Sequence, residues 1–80
     1  MEKITYEIKK EKSHGMVSNI WHDLGYGFIR SDEGEDIYFR SSAVLEDFKT
    51  LRAGHNVFFF EMSSINGTNG IGITLDKESK

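Results

Sequence analysis

The 80-residue sequence predicts a small all-β domain, five short strands forming a closed or partly open barrel. Three observations carry this. There is no proline, and no long stretch repeats apolar residues at the helical period. Eight glycines punctuate short apolar runs, as tight turns between strands do. Two runs, Gly25-Tyr26-Gly27-Phe28-Ile29 and Ile37-Tyr38-Phe39-Arg40, read as strands of a hairpin joined through Asp32-Glu33-Gly34-Glu35.

The elements follow in order. Residues 13–22 predict the first strand. Val17 and Ile20 both favour the core but differ in parity, so a bulge or sharp bend is expected between them, of the kind small barrels need to close. Residues 25–31 and 36–40 are the second and third strands. Ser41-Ser42-Ala43-Val44-Leu45 predicts one short helical turn with a serine as N-cap, and residues 46–55 a loop holding Phe48, Leu51 and Gly54. Residues 56–63 are the fourth strand. Its register is open: either Val57 and Phe59 point inward, or Phe58, Phe60 and Met62 do, because a one-residue slip exchanges the two sets. Asn66-Gly67 and Asn69-Gly70 both read as turns, leaving residues 71–75 for the fifth strand.

Ahead of the barrel, Ile4, Tyr6 and Ile8 alternate with polar residues as in an edge strand, and Lys9, Lys10 and Lys12 follow. An extra N-terminal strand and a frayed terminus both fit this pattern. If ordered, the segment is expected to bury its apolar face against Phe58, Phe60 and Met62, within the chain or across a homodimer. The expected organisation is an N-terminal extension over 1–12, one domain over 13–76 and a short tail over 77–80.

Composition narrows the function. A domain this small buries about 60% of its unfolded surface, which leaves little room for an enclosed catalytic cavity. There is no cysteine, hence no disulfide framework and no thiolate metal site. His14, His22 and His55 are scattered and show no metal-ligand spacing. No nucleophile stands beside a base in a recognisable pattern, so neither an enzyme nor a cofactor-dependent protein is expected. No segment reaches the length of a membrane span, and a cytoplasmic location is the expectation. The net charge of −3 argues against a protein held to nucleic acid by charge alone, but not against one that relies on stacking.

Strand parity then singles out one surface. Side chains alternate faces, so Tyr26, Phe28 and Arg30 share one face of the second strand, and Tyr38 and Arg40 share one face of the third. The opposite face carries Ile29, Ile37 and Phe39, enough to supply a core. Alternating aromatics on a strand are ordinarily core residues, but a small barrel cannot bury both faces of one hairpin. Three rings flanked by two arginines therefore read as a platform on which nucleobases stack. Trp21, the only tryptophan, has two readings: a half-buried rim residue, or a further ring of that platform.

These motifs resemble those of the cold-shock domain, the five-stranded Greek-key oligonucleotide-binding (OB-fold) barrel. Gly25-Tyr26-Gly27-Phe28-Ile29 is similar to the family's first ribonucleoprotein motif, and Ile37-Tyr38-Phe39-Arg40 to the second, with Arg40 in the place of a histidine. Phe48-Lys49-Thr50-Leu51 followed by Gly54 and Val57 resembles the loop between the third and fourth strands. The resemblance spans about Gly15 to Leu75 and implies a protein that binds single-stranded RNA or DNA, with an RNA-chaperone-like action. It implies ligand roles for Tyr26, Phe28, Tyr38, Arg40 and Phe48, with Arg30 and Trp21 added from the residues themselves. Ser18 and Asn19 stand where the family has lysine and tryptophan, Leu24 where it has lysine, Ser41 where it has an aromatic residue, and Thr68 where it has proline. Two rings and two cations of the family pattern are thus absent, so a weaker and less salt-dependent interaction is expected. The alternative, from another class, is a barrel with little nucleic-acid binding that serves as a protein-interaction or dimerisation module.

Overall fold

The computed structural model of the chain describes residues 7–77. Its strands are β1 (Glu7–Ile8), β2 (Ser13–Trp21), β3 (Tyr26–Ser31), β4 (Asp36–Arg40), β5 (Asn56–Ser64) and β6 (Gly67–Leu75). They run in the order β1-β5-β2-β3-β4-β6, and β5 pairs with β6 to close β2, β3, β4, β6 and β5 into a barrel. β2, β3 and β4 form a meander and β5 returns beside β2, which is the Greek-key order. The fold is thus an all-β, five-stranded OB-type barrel with one added N-terminal strand.

Each element has a local cause. The β2–β3 ladder pairs Val17 with Ile29 but Asn19 with Phe28, so Ser18 is the extra residue of a β-bulge. This is the bend expected between Val17 and Ile20. It keeps Val17 buried and lets Ile20 pack on the core despite its different parity. At the β3–β4 turn the Gly34 N–H donates to the Ser31 carbonyl at 2.8 Å, and the Glu35 N–H donates to Ser31 Oγ at 3.0 Å. Ser31, a buried polar residue, is satisfied in this way. The core is Val17, Ile29, Ile37, Phe39, Leu51, Val57, Phe59 and Ile73, none more than 2% exposed.

The open register of β5 resolves with Val57 and Phe59 inward and Phe58, Phe60 and Met62 outward. The β5–β6 ladder also slips by one residue, pairing Phe58 with Thr74 but Phe60 with Ile71. Gly72, at φ +60°, lies within the slip on β6, a left-handed conformation that favours glycine.

Four expectations are corrected. Asn69-Gly70 is not a turn but part of β6, which begins at Gly67. Gly70 faces inward, where a Cβ would lie 3.3 Å from Ile37 Cγ2 and 3.5 Å from the Phe59 ring, so glycine serves close packing there. The hairpin turn falls on Ile65 and Asn66, one residue before Asn66-Gly67, with Gly67 opening β6 and Ile65 97% exposed. The short 3-10 turn Ser41–Ala43 has Arg40, not a serine, at its N-cap, and no side-chain cap bond. The loop over 46–55 contains a second 3-10 turn, Phe48–Thr50, whose Asp47 side chain accepts from the Lys49 N–H.

The extra N-terminal strand that the sequence allows does form, over Glu7–Ile8. β1 pairs antiparallel with β5 through Glu7 and Ser63 and through Ile8 and Met62, and the Lys9 N–H donates to the Glu61 carbonyl at 2.9 Å. It prolongs the edge of β5 that β2 pairs with further along. Of the apolar face expected to cover Phe58, Phe60 and Met62, the described residue is Ile8, which stands opposite Met62 and is 56% exposed. Ile4 and Tyr6, on which that expectation also rested, lie outside the described residues, as does most of the tail over 77–80.

Candidate nucleic-acid interface

The outer wall formed by β2, β3 and β4 is a three-by-three grid of side chains. Residues directly opposite across a ladder share a face. On β3 the outward residues are Tyr26, Phe28 and Arg30; opposite them on β4 stand Arg40, Tyr38 and Asp36. On β2 the partners are Trp21, Asn19 and Met16. The bulge at Ser18 resets the parity of β2, and that places Trp21 and Asn19 on this face.

Four rings meet in the grid. Trp21 and Tyr26 are stacked, with centroids 5.0 Å apart and planes at 27°. Phe28 stands edge-on to Trp21 at 6.2 Å, to Tyr26 at 6.3 Å and to Tyr38 at 5.7 Å. Tyr26 and Tyr38 are 5.7 Å apart. Tyr26, Phe28 and Tyr38 are half-buried and Trp21 is 38% exposed, so the rings brace one another while staying partly open to solvent. Such ring pairs add to area burial and hold the rings in place.

The inner side of this wall explains the glycine between the two β3 rings. A Cβ on Gly27 would lie 2.6 Å from the Asn19 carbonyl oxygen and 2.8 Å from Phe39 Cζ. Gly27 therefore lets the core ring of Phe39 rise against the sheet directly beneath the platform. The glycine pattern serves packing as well as the open surface. Gly25, at φ +79°, closes the turn from β2 by donating to the Trp21 carbonyl at 2.9 Å.

Charge is distributed unevenly over the grid. The Arg30 Nε–H donates to Asp36 Oδ1 at 2.7 Å, so this guanidinium is paired along the wall rather than free. Arg40, at the other end, is exposed and has no ion-pair partner among the described residues. Exposed Asp32, Glu33 and Glu35 crowd the β3–β4 turn beside Arg30. Anionic groups are thus repelled from one end of the wall and attracted to the other.

The structure brings Trp21, Tyr26, Phe28, Tyr38, Arg30 and Arg40 together on one wall. It does not bring Phe48 into the ring cluster. Phe48 is half-buried, packed against the core ring of Phe39 at 6.4 Å and against His22 at 5.4 Å. His22 secures that loop by donating its Nε2–H to the Leu51 carbonyl at 2.7 Å. Asn19, which stands where the family pattern has a tryptophan, also lies on this wall, opposite Phe28. Restarting the alternation at Ile20, once a bulge is expected, is the signal that finds it. Among the described residues no group of three His, Cys, Asp or Glu side chains is arranged to hold a metal ion. No helix among them is long and apolar enough to cross a membrane.

Fold and surface together define a class: a small closed β-barrel with a solvent-facing aromatic cluster on its meander wall. No protein-family model matches the chain. It is 42% identical over 52 residues to Cold shock protein 1 of Lactiplantibacillus plantarum, an alignment covering 64% of this chain and 79% of that relative. It is 50% identical over 42 residues to a cold shock-like protein of Thermotoga maritima, covering 49% of this chain and 64% of that relative. The chain belongs to the cold-shock protein family.

Proposed function

We propose that the protein binds single-stranded RNA or DNA by stacking bases on Trp21, Tyr26, Phe28 and Tyr38. One observation carries this: four rings lie side by side on the outer wall of a barrel whose interior is already filled by Phe39, Phe59 and five aliphatic side chains, with Leu51 closing it. Base stacking on such rings contributes about 1–3 kcal/mol per base and tolerates any base, since each has a π-face. The uneven charge directs the strand: phosphates pass near Arg40 and away from the acidic β3–β4 turn. Arg40 also presents a planar guanidinium suited to phosphate. Phe48 lies beyond the cluster and shapes the margin of the site through His22 rather than by joining the stack. Holding single strands withdraws them from duplex equilibria without chemical turnover, the RNA-chaperone-like action expected from sequence.

The far wall, with Phe60, Met62 and Ile8, is the surface a protein-interaction role would use, but among the described residues it shows no comparable array of mutually braced rings. The test uses the single tryptophan. Short oligothymidylate or oligouridylate added to the full chain is expected to quench Trp21 emission saturably, and less so as salt rises. Unaltered emission together with no migration of a labelled oligonucleotide with the protein would defeat the proposal.

A further inference from the structure

Beside the stacking rings lies an open cleft of about 290 Å³ lined by Ser18, Asn19, Trp21, Phe28, Arg30 and Asp36. We propose that this cleft reads one base of the bound strand by its hydrogen-bonding edge, favouring an amino-bearing base, adenine first, over thymine or uracil, with Asn19 as the reader. This rests on the single-strand binding proposed above and assigns a selectivity that stacking alone does not supply.

The bulge at Ser18 turns Asn19 outward, directly opposite Phe28. Asn19 is exposed, and its side-chain amide has no hydrogen-bond partner among the described residues. An amide offers one acceptor and two donors on a planar head, the arrangement that pairs in bidentate fashion with the amino group and adjacent ring nitrogen of adenine. Phe28 provides a ring for the base to lie on, and Trp21, edge-on to Phe28 at 6.2 Å, walls one end.

The other end discriminates. Arg30 is tied through its Nε–H to Asp36 at 2.7 Å, which keeps the Asp36 carboxylate at this end of the cleft. The Asp36 carboxylate only accepts hydrogen bonds. It tolerates an exocyclic amino group and opposes a carbonyl oxygen. Thymine and uracil present O4 where cytosine carries its amino group. Cytosine shares the amino pattern with adenine but offers a smaller ring to Phe28. The ranking expected is adenine, then cytosine, with thymine and uracil below.

The experiment is a set of Trp21 fluorescence titrations of the full chain with heptathymidylate and with the same probe carrying one central dA, dC or dG. The dA probe is expected to bind about fivefold to tenfold more tightly than heptathymidylate, the low end for a bidentate base contact because the cleft is open. In Asn19→Ala, an exposed site, the dA probe should bind no more tightly than heptathymidylate does. Equal binding of all four probes by the parent, or a dA preference that survives Asn19→Ala, overturns the selectivity and leaves single-strand binding standing. Binding of none of the probes overturns both.

Discussion

Phe28 on β3 and Phe58 on β5 both point outward from the barrel and both are half-buried, yet their surroundings differ. Phe28 is ringed by Trp21, Tyr26 and Tyr38. Phe58 is covered by the imidazole of His14 at 5.0 Å and by the Lys12 ammonium 5.6 Å from its ring centre. Its cross-strand partners are His14 and Thr74. On the β2-β3-β4 wall, outward aromatics pack on one another and stay partly open to solvent. On the β5 wall, an outward aromatic is consumed by polar neighbours as part of the scaffold. Outward parity on a strand is therefore a necessary mark of a binding ring and not a sufficient one; what surrounds the ring decides.

The largest expected effect breaks this contrast directly. Phe28→Ala should weaken binding of a short oligonucleotide by about 1–3 kcal/mol, with little loss of thermal stability because the ring is outside the core. Phe58→Ala should do the reverse, leaving oligonucleotide affinity unchanged and lowering the melting temperature as its cation and imidazole contacts are lost. Titration and melting of the two variants side by side is the measurement. If Phe28→Ala instead costs the roughly 3–5 kcal/mol of stability typical of an emptied core Phe site, the ring is structural and the contrast collapses.

Much of this contrast was legible in the sequence. The β3–β4 hairpin, its acidic tip and its two-faced alternation are short-range features, and β4 falls where predicted over residues 36–40. The clash of parity between Val17 and Ile20 announced the bulge. What was not legible depends on long-range packing. The register of β5 is fixed by pairing with β2 and β6, including a slip near Gly72. Asn69-Gly70 looks like a turn because the local pattern cannot show that Ile37 and Phe59 press against residue 70. Phe48 matches the family motif, but only the three-dimensional arrangement reveals that it leans on Phe39 and His22 instead of joining the other rings. The place of Trp21 followed from the same bulge.

An intermediate effect sharpens the electrostatic side of the comparison. Ser18 sits at the bulge and Leu24 is 63% exposed in the turn after β2, both on the margin of the ring wall. Ser18→Lys and Leu24→Lys should each tighten single-strand binding and steepen the dependence of log affinity on log salt by about 0.7 for each phosphate newly contacted. The same substitutions should not create binding in Phe28→Ala equal to that of the parent, because they supply charge and not a stacking surface. Titrations across a salt series measure this. An unchanged slope in both variants would place the strand's phosphates elsewhere on the barrel.

The smallest effect belongs to the scaffold wall. His14 Nδ1 lies 2.8 Å from Asp32 Oδ2 and Nε2 lies 2.9 Å from Asp76 Oδ2, so the imidazole joins β2 to the β3–β4 turn and to the end of β6. Both nitrogens can donate only when the ring is protonated. The hydrogen bond to Asp32, followed by that to Asp76, holds the His14 pKa above the ordinary imidazole value, against the opposing effect of burial. A histidine whose folded pKa is raised binds its proton more tightly folded than unfolded. Its contribution is complete below the unfolded value of about 6.5 and disappears as pH climbs through the folded value. Asp32, the partner with the larger effect, is 65% exposed, so solvent screens the pair and the contribution should stay at or below about 1 kcal/mol, a few degrees of melting temperature in a domain this size. Melting curves for the parent and His14→Gln between about pH 5.5 and 8.5 are expected to differ most at the acidic end and to converge at the basic end. Oligonucleotide binding by the parent should be insensitive to this titration, because His14 contacts Phe58 and not the ring wall. A stability difference that is constant with pH would show that His14 acts by packing on Phe58 and not through its charge.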